Sequence, residues 1–137
     1  MKIIVLAGGL STERDVSLSS AAGICRTLVE KGLIASESLG ISCQEMLNSF
    51  KNGEVAFLLD VFMGLENAPE NLEDVFTLPD HGLEIVKNIS TEEPDLEAVK
   101  ASRPDQSDCF FGPNVIELCR LADITFLGLH GGEGENG

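Results

Sequence analysis

The sequence predicts an α/β fold: an open, mostly parallel sheet flanked by helices. Three observations carry this. Lys2–Ala7 is an apolar run without alternation that breaks at Gly8 and Gly9, the pattern of a strand buried on both faces. From Ser17 the period changes, and Leu18, Ala21, Ala22, Cys25, Leu28 and Val29 recur at helical spacing until Lys31 and Gly32 close the helix. Near the other end, a second helical pattern yields at Asp123 to ITFLGLH, a strand-like run that opens into another glycine loop.

The elements between follow in order. Leu33–Ile41 reads as a weakly amphipathic second strand, Gln44–Phe50 as a short helix ending at KNG, and Val55–Phe62 as a strongly apolar strand. Residues 64–112 read as an acidic insertion within a single domain spanning 1–137. They hold four of the five prolines and most of the net negative charge. Within them GLEIVKNIS suggests a strand and Glu92–Ser102 a short helix, with disorder over part of the stretch compatible with its composition. Pro113 suits the first turn of a helix whose apolar side is Val115, Ile116, Cys119 and Leu121.

Composition excludes several functions. The chain has 137 residues and a formal charge of −14, with 23 acids against 9 Lys and Arg. That balance opposes both the nucleic-acid backbone and an anionic membrane. No apolar run approaches the ~20 residues of a membrane span. The first apolar run is too short for a signal peptide and meets Glu13, Arg14 and Asp15 soon after, so a cytoplasmic location is expected. Cys25, Cys43, Cys109 and Cys119 include no CxxC pair and neither His is near a Cys in sequence, so no zinc site is expected, and the expected cytoplasmic location argues against disulfides. Cys25 and Cys119 fall in helical patterns and read as buried thiols.

Ligands of an open parallel sheet sit at the carboxyl ends of its strands, so both glycine loops are expected at that edge. The first, AGGLSTERDVS, is neither GxGxxG nor GxxxxGK[ST]. It sets Ser11, Glu13, Arg14 and Ser17 near a helix N-terminus, which favours an anion. Glu13 beside it suits an ammonium, so a zwitterion such as an amino acid fits. The competing reading is a helix cap built from Ser, Thr and acidic residues, with Arg14 an ordinary surface residue. The second loop, HGGEGENG, has four glycines in eight residues, costly to order unless the backbone approaches a ligand or needs positive φ. His130 at the strand end is placed to meet a carboxylate or assist a proton transfer; Glu133 and Glu135 fit either the site or solvent.

Together, GGLSTERDVSLSSA at 8–21 and LGLHGGEGENG at 127–137 resemble the N-terminal domain of D-alanine–D-alanine ligases, members of the ATP-grasp superfamily. The family patterns are GG-x-S-x-E-[RH]-x-[VI]-S and LHG-x-x-GE-[DN]-G. The resemblance implies a Rossmann-like pre-ATP-grasp domain that binds the first D-alanine. It implies that Glu13 holds that substrate's ammonium, that Ser17 helps to order the turn, that His130 sits near its carboxylate, and that the glycine loop, with Gly131 and Gly132, packs over the site. It implies a cytoplasmic enzyme of peptidoglycan precursor synthesis that uses ATP and Mg²⁺ through an acyl phosphate and forms a homodimer. The groups that hold ATP and metal in the family have no counterpart in this sequence. An N-terminal fragment, inactive alone and binding neither cofactor, is therefore expected, its partners being D-alanine and the missing ATP-grasp domains. The alternative is a stand-alone amino-acid-binding or interaction domain without catalysis.

Overall fold

The computed structural model describes residues 2–31, 56–87, 89 and 91–132. The expected strand at 33–41, the helix at 44–50, Cys43, Glu133 and Glu135 lie outside the described residues. Three parallel strands form the sheet: β1 (Ile3–Ala7), β2 (Ala56–Asp60) and β3 (Ile124–Leu127), in the order β2-β1-β3. Ile3 is level with Ala56 and Ile124, and Leu6 with Leu59 and Leu127, so the three strands end at one edge.

The central position of β1 explains its unbroken hydrophobicity, since all five of its residues are buried. On one face Ile3, Val5 and Ala7 join Ala56 and Leu58 beneath the long helix α1 (Arg14–Lys31), which contributes Leu18, Ala21, Ala22 and Cys25. On the other, Ile4 and Leu6 join Phe57 and Leu59 against Val75 and Phe76, and against Val115 and Leu118 of a C-terminal helix. Each fully buried aliphatic side chain here stabilises the fold by roughly 1.5–3 kcal/mol. Burial pushes the Cys25 thiol up to about 11, which marks it as an inert packing group. Cys119 is only half-buried, less enclosed than its helical pattern suggests. Cys25, Cys109 and Cys119 are all free thiols. Among the described residues no helix is long and apolar enough to cross a membrane.

Three expected elements change. The described residues of GLEIVKNIS make no strand; Leu83–Val86 is a short 3-10 turn. Its cause is the approach to β2. The His81 carbonyl accepts from Leu58 N at 2.8 Å and its ring Nδ1 lies 3.1 Å from the Ala56 carbonyl, but His81 and Gly82 both take positive φ, and the chain turns away after that one backbone bond. A second 3-10 turn covers Leu72–Thr77, capped by the Asn71 side chain. The helix expected from Glu92 is α2 (Leu96–Ser102); it starts after Pro94, where the Asp95 carboxylate accepts from Ala98 N. The last helix, α3 (Val115–Leu121), starts two residues beyond Pro113. Pro113 and Asn114 are committed elsewhere: the Pro113 carbonyl accepts from Leu65 N at 2.9 Å, and Asn114 Nδ2 donates to Leu65 O at 2.7 Å. Gly112 N also donates to Val61 O at 2.8 Å, so the chain that leaves β2 returns to the point of its departure.

Candidate functional site

The two glycine loops meet. Ser11 Oγ donates to the His130 carbonyl at 3.0 Å, across 119 positions of sequence. The same hydroxyl accepts from Glu13 N at 3.2 Å, and Arg14 N donates to Ser11 O at 3.0 Å, closing the turn into α1. Gly131 has φ +66, and a side-chain carbon there would lie 3.3 Å from the Glu13 carboxyl carbon and 3.1 Å from Ser11 Oγ. Only a residue without Cβ lets the second loop come so close to the first. Glu13 is exposed and His130 half-buried. Gly8, Gly9, Leu10 and Ser11 face Phe110, Leu129, His130 and Gly131 across a cleft of about 10 Å³, room for about one water molecule.

Ser17 ties the floor of this site. It is wholly buried; its hydroxyl accepts from Gly8 N at 2.9 Å and donates to the Gly128 carbonyl at 2.6 Å. It therefore acts on the ends of β1 and β3 and positions both loops. Ser17→Ala strips one bond from each strand end and leaves a buried N–H and a buried carbonyl without that partner. A loss of about 1–3 kcal/mol is expected, read as a lower midpoint in urea unfolding; an unchanged midpoint would show that the strand ends hold themselves.

Arg14 is not the surface residue expected. Its side chain is 9% exposed and that of its partner, Asp60 at the end of β2, 5%. Nη2 pairs with Asp60 Oδ2, and Nη1 reaches Asp60 Oδ1 at 3.3 Å and the Gly9 carbonyl at 2.8 Å. Asp60 Oδ1 also accepts from Phe62 N and Met63 N, at 3.0 and 3.1 Å. A Cβ on Gly8, at φ +81, would stand 2.7 Å from Asp60 Oδ1, so the glycine leaves space for this pair. The signal in the sequence was Asp60 itself, a lone acid closing an apolar strand, which a buried position requires to be paired.

Phe110 is the other site residue that sequence reasoning missed. It reaches the cleft from the acidic stretch, on a loop held by the buried guanidinium of Arg103. Arg103 in turn holds the Asp105 carboxyl below its ordinary range through a side-chain hydrogen bond. No cluster of three or more His, Cys, Asp or Glu among the described residues is placed to hold a metal. Arg14, the cation that opens α1 beside the loops, is engaged by Asp60 and the Gly9 carbonyl.

A family model described as D-ala D-ala ligase N-terminus matches residues 2–137. The D-alanine–D-alanine ligase of Lacticaseibacillus casei is 39% identical over 137 residues, covering all of this chain and 32% of that protein. That of Pediococcus pentosaceus is 40% identical over 142 aligned positions, covering all of this chain and 33% of the relative. A ligase from Pelobacter propionicus is 59% identical over 34 residues, 25% of this chain. The chain thus spans about a third of the length of the first two relatives. No solved structure gives a significant match.

Proposed function

The chain belongs to the D-Ala–D-Ala ligase N-terminal family, and from that premise we propose that it is the domain of an ATP-dependent D-alanine–D-alanine ligase that binds the first D-alanine. The observation that supports this best is the convergence of the two loops, with Glu13 against Gly131 and Ser11 bonded to the His130 carbonyl. One small zwitterion can then meet both loops at once. Glu13 takes the ammonium, for which an exposed carboxylate at the rim is suited. His130 and the glycine backbone face the carboxylate, while Ser17 and the Arg14–Asp60 pair hold the loops from beneath. Fixing the amino acid this way gives its carboxylate one orientation toward the phosphoryl donor, which is the entropic part of the catalysis.

ATP and Mg²⁺ are held elsewhere in the ligase on this reading. This domain contributes binding and orientation, and its 137 residues do not ligate alone. The role belongs to peptidoglycan precursor synthesis in the cytoplasm.

Domain exchange tests it. Residues 1–137 are joined to the remaining two-thirds or so of the Lacticaseibacillus casei enzyme, in place of the matching part. The chimera is expected to release phosphate from ATP with D-alanine and not with L-alanine. In parallel, D-alanine is expected to shift the amide resonances of Glu13, Gly131 and Gly132 in the isolated chain. A chimera that melts cooperatively yet stays silent, with no shift in the isolated chain, would overturn the assignment.

A further inference from the structure

The acidic stretch carries one side chain into the substrate cleft, and it is held there from both flanks. Phe110 faces Gly8, Gly9 and Leu10 of the first loop and Leu129 and His130 of the second. Its ring edge would be 3.9 Å from a Cβ on Gly9. The carbonyl before it, Cys109 O, accepts from Arg103 Nη1, and the one after it, Phe111 O, accepts from Arg103 Nη2 at 3.0 Å. Arg103 is itself 1% exposed, paired with Asp105 at 2.7 Å, and stacked 4.7 Å from the ring centroid of Phe62. Gly112 N on Val61 O closes the same loop, and Phe111 meets Phe110 edge to face at 5.2 Å. A residue whose two neighbouring carbonyls are fixed by one buried planar cation has little freedom to swing aside.

We propose that Phe110 is the wall that sets the size of the amino acid's side chain at the first substrate position, and that Arg103 is its positioning residue. This rests on the function proposed above. The cleft beside the ring has room for about one water molecule, a volume close to that of one methyl group. Phe110, Leu10 and Leu129 supply an apolar lining that suits a methyl. A larger substituent must displace the ring, and the Arg103 clamp resists that.

The test uses the active chimera with equal concentrations of D-alanine and D-2-aminobutyrate. The residue whose carboxylate is activated becomes the amino-terminal residue of the dipeptide, so mass spectrometry of the products reads the first position separately from the second. Phe110→Ala is expected to raise the share of aminobutyrate at the amino end about tenfold or more, one methylene being worth roughly that much in an apolar pocket. The carboxyl-end composition is expected to stay unchanged. Phe110→Leu, a milder cut, is expected to move the same way by a smaller factor. Arg103→Lys, which cannot fork across both carbonyls, is expected to raise the same ratio while Phe110 remains in place. Unchanged amino-end composition in a folded Phe110→Leu or Phe110→Ala chimera would overturn the proposal. A parent chimera silent with D-alanine would instead overturn the function on which it rests.

Discussion

Replacing Asp60 with alanine is expected to cost the domain about 3–5 kcal/mol, the loss typical of breaking a buried ion pair from one side. Arg14 would keep its charge in a site that leaves its side chain 9% exposed, with the Gly9 carbonyl as its remaining partner from this group. Phe62 N and Met63 N would lose their acceptor in the same step. For a chain of this size a loss of that order lowers the melting midpoint by roughly 10–20 °C. Removing both charges together, as Arg14→Met with Asp60→Leu, is expected to cost much less than the sum of the single changes, because no unpaired ion remains. Calorimetry of the three variants checks this. A melting point for Asp60→Ala close to that of the parent would mean that Arg14 escapes to water.

The second large effect falls on activity. In the ligase chimera Glu13→Gln is expected to lower kcat/KM for D-alanine by about 10- to 100-fold, since it removes a charged acceptor from an ammonium worth roughly 1.5–3 kcal/mol. Stability is expected to change by no more than about 0.5 kcal/mol. The Glu13 side chain is exposed, and the turn it occupies is closed by backbone bonds, Arg14 N to Ser11 O and Ser17 N to Glu13 O, that glutamine preserves. The two halves of this result separate the substrate role from the capping role that the sequence equally allowed. A lower melting point with undiminished kcat/KM would return Glu13 to capping.

The frame of the domain was legible because each of its signals is local. The unbroken run Ile3–Ala7, the helical spacing from Leu18 to Val29 and the apolar run into Asp60 each report burial directly, and each became the expected element. The meeting of the two loops was legible from topology, since parallel strands place their carboxyl ends together. What escaped was decided by partners far away in sequence. Arg14 looks like any arginine at a helix start until Asp60, 46 positions on, is brought beside it. The strand suggested by GLEIVKNIS has the right residues, but His81 and Gly82 turn out of the extended region after one backbone hydrogen bond to Leu58. Phe110 sits among charges that signal solvent, and only the Arg103 clamp and the closure at Val61 fold its ring inward.

That closure separates length from architecture in this domain. The bonds at Val61–Gly112 and Leu65–Pro113 act as a clasp at the neck of a long detour, which touches the sheet through Val75, Phe76 and His81 and elsewhere hangs below it. Polymer statistics make the detour cheap to resize, doubling a flexible loop costing only about 0.6 kcal/mol. Related domains can therefore differ in length within this detour, so long as Val75 and Phe76 keep their place on the sheet and His81 its bond to β2, and still present the same rim. Residues 103–112 are exempt from that freedom because they build one of its walls.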